Sequence, residues 1–294
     1  MDIIAKEAPI MSFDVLSEVQ DMWSFAFMRN AFFAGTIVAI VAGMIGYFVV
    51  LRRSSFAAHA LSHVGFSGAA AAVLIGVDPV LGLLVFTSGG GVIMGLLGNR
   101  SASRDVQIGT VLAFMLGLGV LFISLYDGYA SQAYSILFGQ MLGISSDEVI
   151  MTIAFGTAVI AVLAAIYRPL LFSSLDEDVA EAKGLSMTGI GIAFMLLVAV
   201  TVSIAVQVIG VLLIFALTVT PAAIAHRITK RPRNGILISA LIALGSTWAG
   251  LALAFYYPYP VSFFITTIVF SVYLIVVSTE RIRPRFAGRK HDLT

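Results

Sequence analysis

Apolar runs of about 20 residues recur from residue 28 almost to residue 279, and the charged residues stand between these runs rather than inside them. A helix rises about 1.5 Å per residue, so each run is long enough to cross a hydrocarbon layer ~30 Å thick. Inside such a layer every backbone N–H and C=O must find a partner within the protein, which leaves continuous apolar segments of this length one option, the α-helix. Runs near 28–51, 55–76, 80–98, 106–126, 148–167, 187–206, 208–226, 236–256 and 259–279 predict an all-α integral membrane protein, a polytopic bundle of about nine transmembrane helices. With 60% hydrophobic and 11% charged residues, no stretch remains for a separate soluble domain. Cysteine is absent, which excludes disulfides and thiolate metal sites and leaves the chain to be held by helix packing.

Charge placement orients the bundle. With nine spans and an external N-terminus, every Lys and Arg except Lys6 and Arg29 falls on the cytoplasmic side, as the positive-inside rule requires. The expected organisation is an extracytoplasmic or interfacial segment over 1–26, a transmembrane domain over 27–280 and a basic cytoplasmic tail over 281–294. The first segment carries six acidic or basic residues and lacks the pattern of a cleavable signal peptide. Only Val206 to Gly210 separates the sixth and seventh runs, so this pair reads as either one broken helix or a tight hairpin. Between the fourth and fifth, Ala133 to Ile144 is too short to cross and predicts a short helix in the outer interface. Small residues such as Gly65, Gly68 and Ala69 to Ala72 permit close helix approach. The net charge of +1 is dispersed over short loops, which gives no nucleic-acid-binding face.

All sixteen acidic residues lie in loops, in the N-terminal segment or at span borders. A carrier driven by protons or sodium ordinarily uses an intramembrane carboxylate, so the energy source is expected outside this chain. No Gly-x-x-x-x-Gly-Lys-Ser/Thr phosphate cradle occurs either, and ATP, if used, binds another subunit. The ionisable group that does sit inside a run is His59-Ala-Leu-Ser-His63. Residues four apart share a helix face, where two imidazoles can grip one divalent cation. Neutral histidines bind without adding a charge that would trap the ion, which suits transit. Ser62, Ser67 and Gln207 are auxiliary candidates, against ordinary roles in helix packing. His226 lies in a basic loop, and His291 in the charged tail reads as a solvated residue. Two cytoplasmic segments suit a partner: a short acidic-to-basic helix over Leu175 to Leu185 that stops at Gly184, and the stretch from Pro221 to Arg233 that passes from an apolar run into a basic loop.

Two other classes compete. Gly65-Phe-Ser-Gly68 mimics the nucleophile turn of an intramembrane serine protease, which needs a histidine base within hydrogen-bond reach of Ser67. A self-sufficient cation carrier needs the carboxylates that the runs lack.

Taken together and in order, Leu51-Arg-Arg-Ser-Ser-Phe-Ala-Ala-His-Ala-Leu-Ser-His-Val-Gly, Leu137-Phe-Gly-Gln-Met-Leu-Gly-Ile-Ser, Asp176 to Leu185 and Ile209-Gly-Val-Leu-Leu-Ile-Phe-Ala-Leu-Thr-Val-Thr-Pro-Ala-Ala resemble the permease subunits of ATP-binding-cassette importers for zinc and manganese. The likeness covers about residues 25 to 280 and extends distantly to the permease fold of vitamin B12 and siderophore importers. It implies no enzymatic activity in this chain, a separate ATPase subunit docking near Thr220, Pro221, Ala222, Ala223, His226 and Arg227, an extracytoplasmic metal-binding protein, and a second copy of the chain in the bacterial cytoplasmic (inner) membrane. That family's first landmark usually reads Asp-Ala-x-Ser-His, with the aspartate and histidine meeting the metal in transit. Here His59 stands where the aspartate is expected, and His63 matches. Because imidazole favours zinc and hard oxygen favours manganese, the expected cargo is Zn²⁺, with manganese or another divalent metal as the alternative, and no permanently bound cofactor.

Overall fold

The structure, a computed structural model, describes residues 15–97, 104–126 and 139–287. Its chain order is α1 (Val15–Ser24), α2 (Ala26–Leu51), α3 (Ser55–Leu74), α4 (Pro79–Leu96), α5 (Arg104–Ser124), a 3₁₀ turn (Met141–Gly143), α6 (Ser146–Leu175), α7 (Glu177–Ala182), α8 (Met187–Ile209), α9 (Val211–Ile228), α10 (Pro232–Tyr256) and α11 (Val261–Ala287). Among the described residues, eight helices are long and apolar enough to cross a membrane, and α9 contributes a shorter apolar stretch, Leu213–Ile228. The chain is thus an all-α polytopic membrane bundle.

Local chemistry sets the boundaries. The Asp78 carboxylate accepts from the Val80 amide with Pro79 in the first helical position, so α4 starts where its orphan donors are satisfied. Ser145 and Glu148 close a capping box at the start of α6. Asp176 caps α7, which ends before Gly184 as its sequence predicts. The sixth and seventh runs are separate helices broken at Gly210, whose φ of 81° lies in the left-handed region where a side chain is strained.

Side-chain ties show which helix ends lie together. At one end, rich in basic residues, Arg52 after α2 donates to Ser173 and Ser174 of α6 at 3.0 and 3.1 Å, and His226 of α9 lies 3.0 Å from the Tyr47 carbonyl. At the opposite end Asn30 donates to the Ile144 carbonyl at 3.0 Å, and Gln207 of α8 to Glu148 of α6 at 3.2 Å. Gln207 and His226 fall at different ends, so the chain doubles back at Gly210, and the hairpin alternative for this pair is the observed one. In two respects the expected spans are corrected: α11 runs past residue 279 to Ala287, and α6 past residue 167 to Leu175. Pro169 withholds one amide from the helix, yet Leu170 is fully buried and the Arg52 bonds hold the turns beyond it.

Helices α2, α3 and α8 form the buried centre, and α5 and α11 lie at the edge. With no water to drive apolar burial, packing and interhelical hydrogen bonds hold such a bundle. Thr87 of α4 and Ser203 of α8 meet at 2.7 Å in the interior, and Ser239 of α10 donates to the Gly43 carbonyl at 2.7 Å. Gly46 of α2 abuts the Thr218 carbonyl of α9 so closely that a Cβ would collide with it. Of the expected interfacial segment, residues 133–138 lie outside the described part. The remainder includes the 3₁₀ turn, with Met141 buried against Gly35.

Candidate functional site

His59 and His63 occupy the second and third turns of α3, where the four-residue spacing puts both on one face. Their rings meet edge to face with centroids 4.7 Å apart, and both are partly buried. Each Nδ1 is buried without a hydrogen-bond partner. An imidazole nitrogen left unpaired in an apolar interior costs free energy, so the site is built at an expense that ligation of a cation would offset. Among the described residues no cluster of three or more His, Asp or Glu side chains could hold a metal ion. Two imidazoles by themselves do not complete the coordination sphere of a metal ion.

The auxiliary candidates are engaged elsewhere. Ser62 is fully buried and donates to the His59 carbonyl at 2.7 Å. Ser67 bonds the carbonyls of His63, at 3.2 Å, and of Met115, which ties α3 to α5. Its proton is directed at carbonyls rather than at an imidazole, so the base that a serine protease requires is not assembled. Gln207 sits at the opposite end of α3 from His59, on a cleft of about 190 Å³ with Asp78, Gln140 and Glu148 among its walls.

The expected docking residues all lie on the C-terminal half of α9. Pro221 and Ala222 are buried, and Thr220 and Ala223 partly so. His226 stacks on Tyr47 with ring centroids 4.2 Å apart. Arg227 is exposed and pairs with Glu280 of α11 at 2.7 Å. The segment thus exposes mainly its last turn and the loop from Thr229 to Arg231, with ties from that turn to α2 and α11.

Two further residues shape the site without any sequence signal. Phe215, one phenylalanine among many in apolar runs, places its ring 4.9 Å from His59. Tyr47 receives His226 across 179 positions of sequence.

A bundle of apolar helices of membrane-crossing length defines a polytopic membrane protein. Residues 24–280 match the ABC 3 transport family, and the chain belongs to it. It is a non-catalytic permease subunit of an ATP-binding-cassette importer for divalent metal, a multi-pass protein of the inner membrane. It is 31% identical over 235 residues to the manganese transport system membrane protein MntC of Listeria monocytogenes, covering 80% of this chain and 81% of that protein. To the manganese import system permease protein ScaB of Streptococcus gordonii it is 29% identical, covering 81% and 85%. Among solved structures, PsaBC from Streptococcus pneumoniae in complex with Fab matches with a TM-score of 0.79 at 27% identity, covering 88% of this chain and 94% of that one. The fold is also that of a metal-chelate-type ATP-binding-cassette transporter in an inward-facing conformation, with a TM-score of 0.70 at 15% identity, covering 93% and 91%.

Proposed function

We propose that this permease carries manganese into the cytoplasm, the ion passing His59 and His63 on a path completed by a second copy of the chain. The observation that carries the path is the pair of buried Nδ1 atoms without partners on one face of α3. The names of the similar MntC and ScaB proteins favour manganese over the zinc that imidazole chemistry alone suggests. The pair is partly exposed on the single chain, which suits a site shared between copies. An extracytoplasmic metal-binding protein delivers the ion, and an ATPase subunit docks at the end of α9. The chain crosses nine times, α9 included, with the N-terminus outside and the C-terminus inside. The alternating helix directions and the gathering of Arg52, Arg227 and Arg231 at one end support this topology. Residues 1–26 form an outer interfacial segment and 281–294 a cytoplasmic tail. A more distant kinship with vitamin B12 and siderophore permeases agrees with the fold shared with the metal-chelate-type transporter.

Zinc is the second reading, and one observation favours it: His59 supplies nitrogen where the family's aspartate would supply oxygen. The test is uptake of radioactive manganese and zinc by cells dependent on this importer, compared with the His59→Ala, His63→Ala double variant. Loss of uptake with normal membrane levels of the variant is expected. Undiminished uptake would overturn the path. Zinc carried at least tenfold better than manganese by the unaltered protein would replace manganese with zinc.

A further inference from the structure

Histidines that bind metals are normally oriented by a hydrogen bond on the nitrogen that does not ligate. The Nδ1 atom of His59 has no hydrogen-bond partner, and neighbouring rings packed against the imidazole contribute to its orientation. Among the described residues its ring contacts are His63, at 4.7 Å and 88°, and Phe215 of α9, at 4.9 Å and 66°. Both are edge-to-face geometries, the arrangement in which one ring fixes the tilt of another.

Phe215 is little used for packing. Leu213, Ile214 and Leu217 around it are at most 2% exposed, whereas Phe215 is 37% exposed. Helix α9 is compliant on both sides of it. Gly210 interrupts the backbone before the first turn, and Pro221 has no amide to offer the Leu217 carbonyl. The hydroxyl of Thr218, the next residue after Leu217, is buried and has no hydrogen-bond partner. Beyond Pro221 the helix is fastened to α2 by the His226–Tyr47 stack and leads to Arg227 at the basic end. Phe215 and Arg227 are 12 residues apart on one helix, about 18 Å.

We propose that Phe215 is a positioning residue of the metal path: its ring sets the orientation of the His59 imidazole and carries to it the movement of the docking end of α9. The proposal rests on His59 lying on the path. When the basic end is displaced, the half of α9 between Gly210 and Pro221 tilts, and the Phe215 ring turns the imidazole toward or away from the ion. Coupling between ATP hydrolysis and metal release then passes through one aromatic contact.

The test uses the complete transporter, permease with its ATPase, reconstituted in liposomes, with manganese uptake and ATP hydrolysis measured together. Phe215→Tyr, which keeps the ring, is expected to stay within twofold of the unaltered protein. Phe215→Leu is expected to lower the maximal uptake rate at least fivefold while ATP hydrolysis stays within twofold, so that fewer ions move per ATP. Cobalt serves as a spectroscopic probe, since it accepts nitrogen ligands. Its ligand-field absorption on the purified complex should change in Phe215→Leu and remain in Phe215→Tyr. Where Phe215→Leu does not assemble, Phe215→Met fills a similar volume without a ring and is held to the same criteria. Uptake per ATP and cobalt absorption in the ringless variant equal to those of Phe215→Tyr would overturn the proposal. His59→Ala separates the two levels: if it transports normally, the path through His59 fails. If it is inactive while the ringless variant is normal, only the role of Phe215 fails.

Discussion

The carbonyl oxygen of Thr218 in α9 occupies the space where a side chain on Gly46 of α2 would begin, so these two helices touch backbone to backbone. The nearest atoms a side chain on Gly46 would meet are helix backbone, so there is no flexible side-chain end to push aside. Gly46→Ala is expected to destabilise the protein by about 1–3 kcal/mol, and Gly46→Val by more. Gly89 of α4 has open space around it, and Gly89→Ala should be neutral or stabilising by about 0.5–1 kcal/mol. Thermal unfolding of the two proteins in detergent distinguishes them. Equal midpoints would mean that the α2–α9 contact is not a close one.

On the proposed path, position 59 sets the ligand type offered to the ion. His59→Asp exchanges nitrogen for oxygen and is expected to raise the manganese-to-zinc uptake ratio several-fold, because harder ligands suit manganese. Competition between the two isotopes in whole cells measures this ratio directly. An unchanged ratio would show that selection occurs elsewhere, for example in the delivering protein.

Gln207 donates to Glu148 far along α3 from the histidines. Gln207→Leu removes one hydrogen bond to a carboxylate, a loss of about 1.5–3 kcal/mol at most, and less where the cleft is wet. Metal uptake at saturating metal should stay within about twofold of the unaltered protein. A loss as severe as that of the double histidine variant would place Gln207 on the path after all.

Arg52 is 7% exposed and bonds Ser173 and Ser174 at the basic end. Both bonds leave one nitrogen, Nη1, and the guanidinium carbon lies 5.5 Å from the Phe194 ring centroid, so Arg52→Lys keeps the charge and loses the flat group that lies over that ring. A fall in midpoint of several degrees is expected, and still more for Arg52→Ala. Retention of the full midpoint in Arg52→Ala would show that the α2–α6 tie contributes nothing.

The bundle itself was legible in the apolar runs because a bilayer allows a long apolar segment essentially one backbone solution. Eight of the helices follow from that rule alone, and caps such as Asp78, Ser145 and Asp176 locate their starts within a few residues. The end of α6 was not legible. Arg168 and Pro169 both signal a stop, and what overrides them is a bond from Arg52, 121 positions away from Ser173. The site divides in the same way. His59 and His63 are visible as a pair because helical spacing is local, and the metal path proposed for them rests on the family resemblance. Ser62, Ser67 and Gln207 looked equally polar in the sequence, but their partners, a local carbonyl, the carbonyl of Met115 and Glu148, are decided by packing.

By itself, then, the sequence determines an all-helical membrane bundle with two imidazoles on one face and its acids only at span borders or in loops, since each of these depends only on residues near one another along the chain. Tertiary structure decided where the chain doubles back at Gly210, which polar groups remain without partners, and which aromatic ring rests against His59. Those are outcomes of helices α3 and α9 meeting across some 150 residues, and no local periodicity encodes such a meeting.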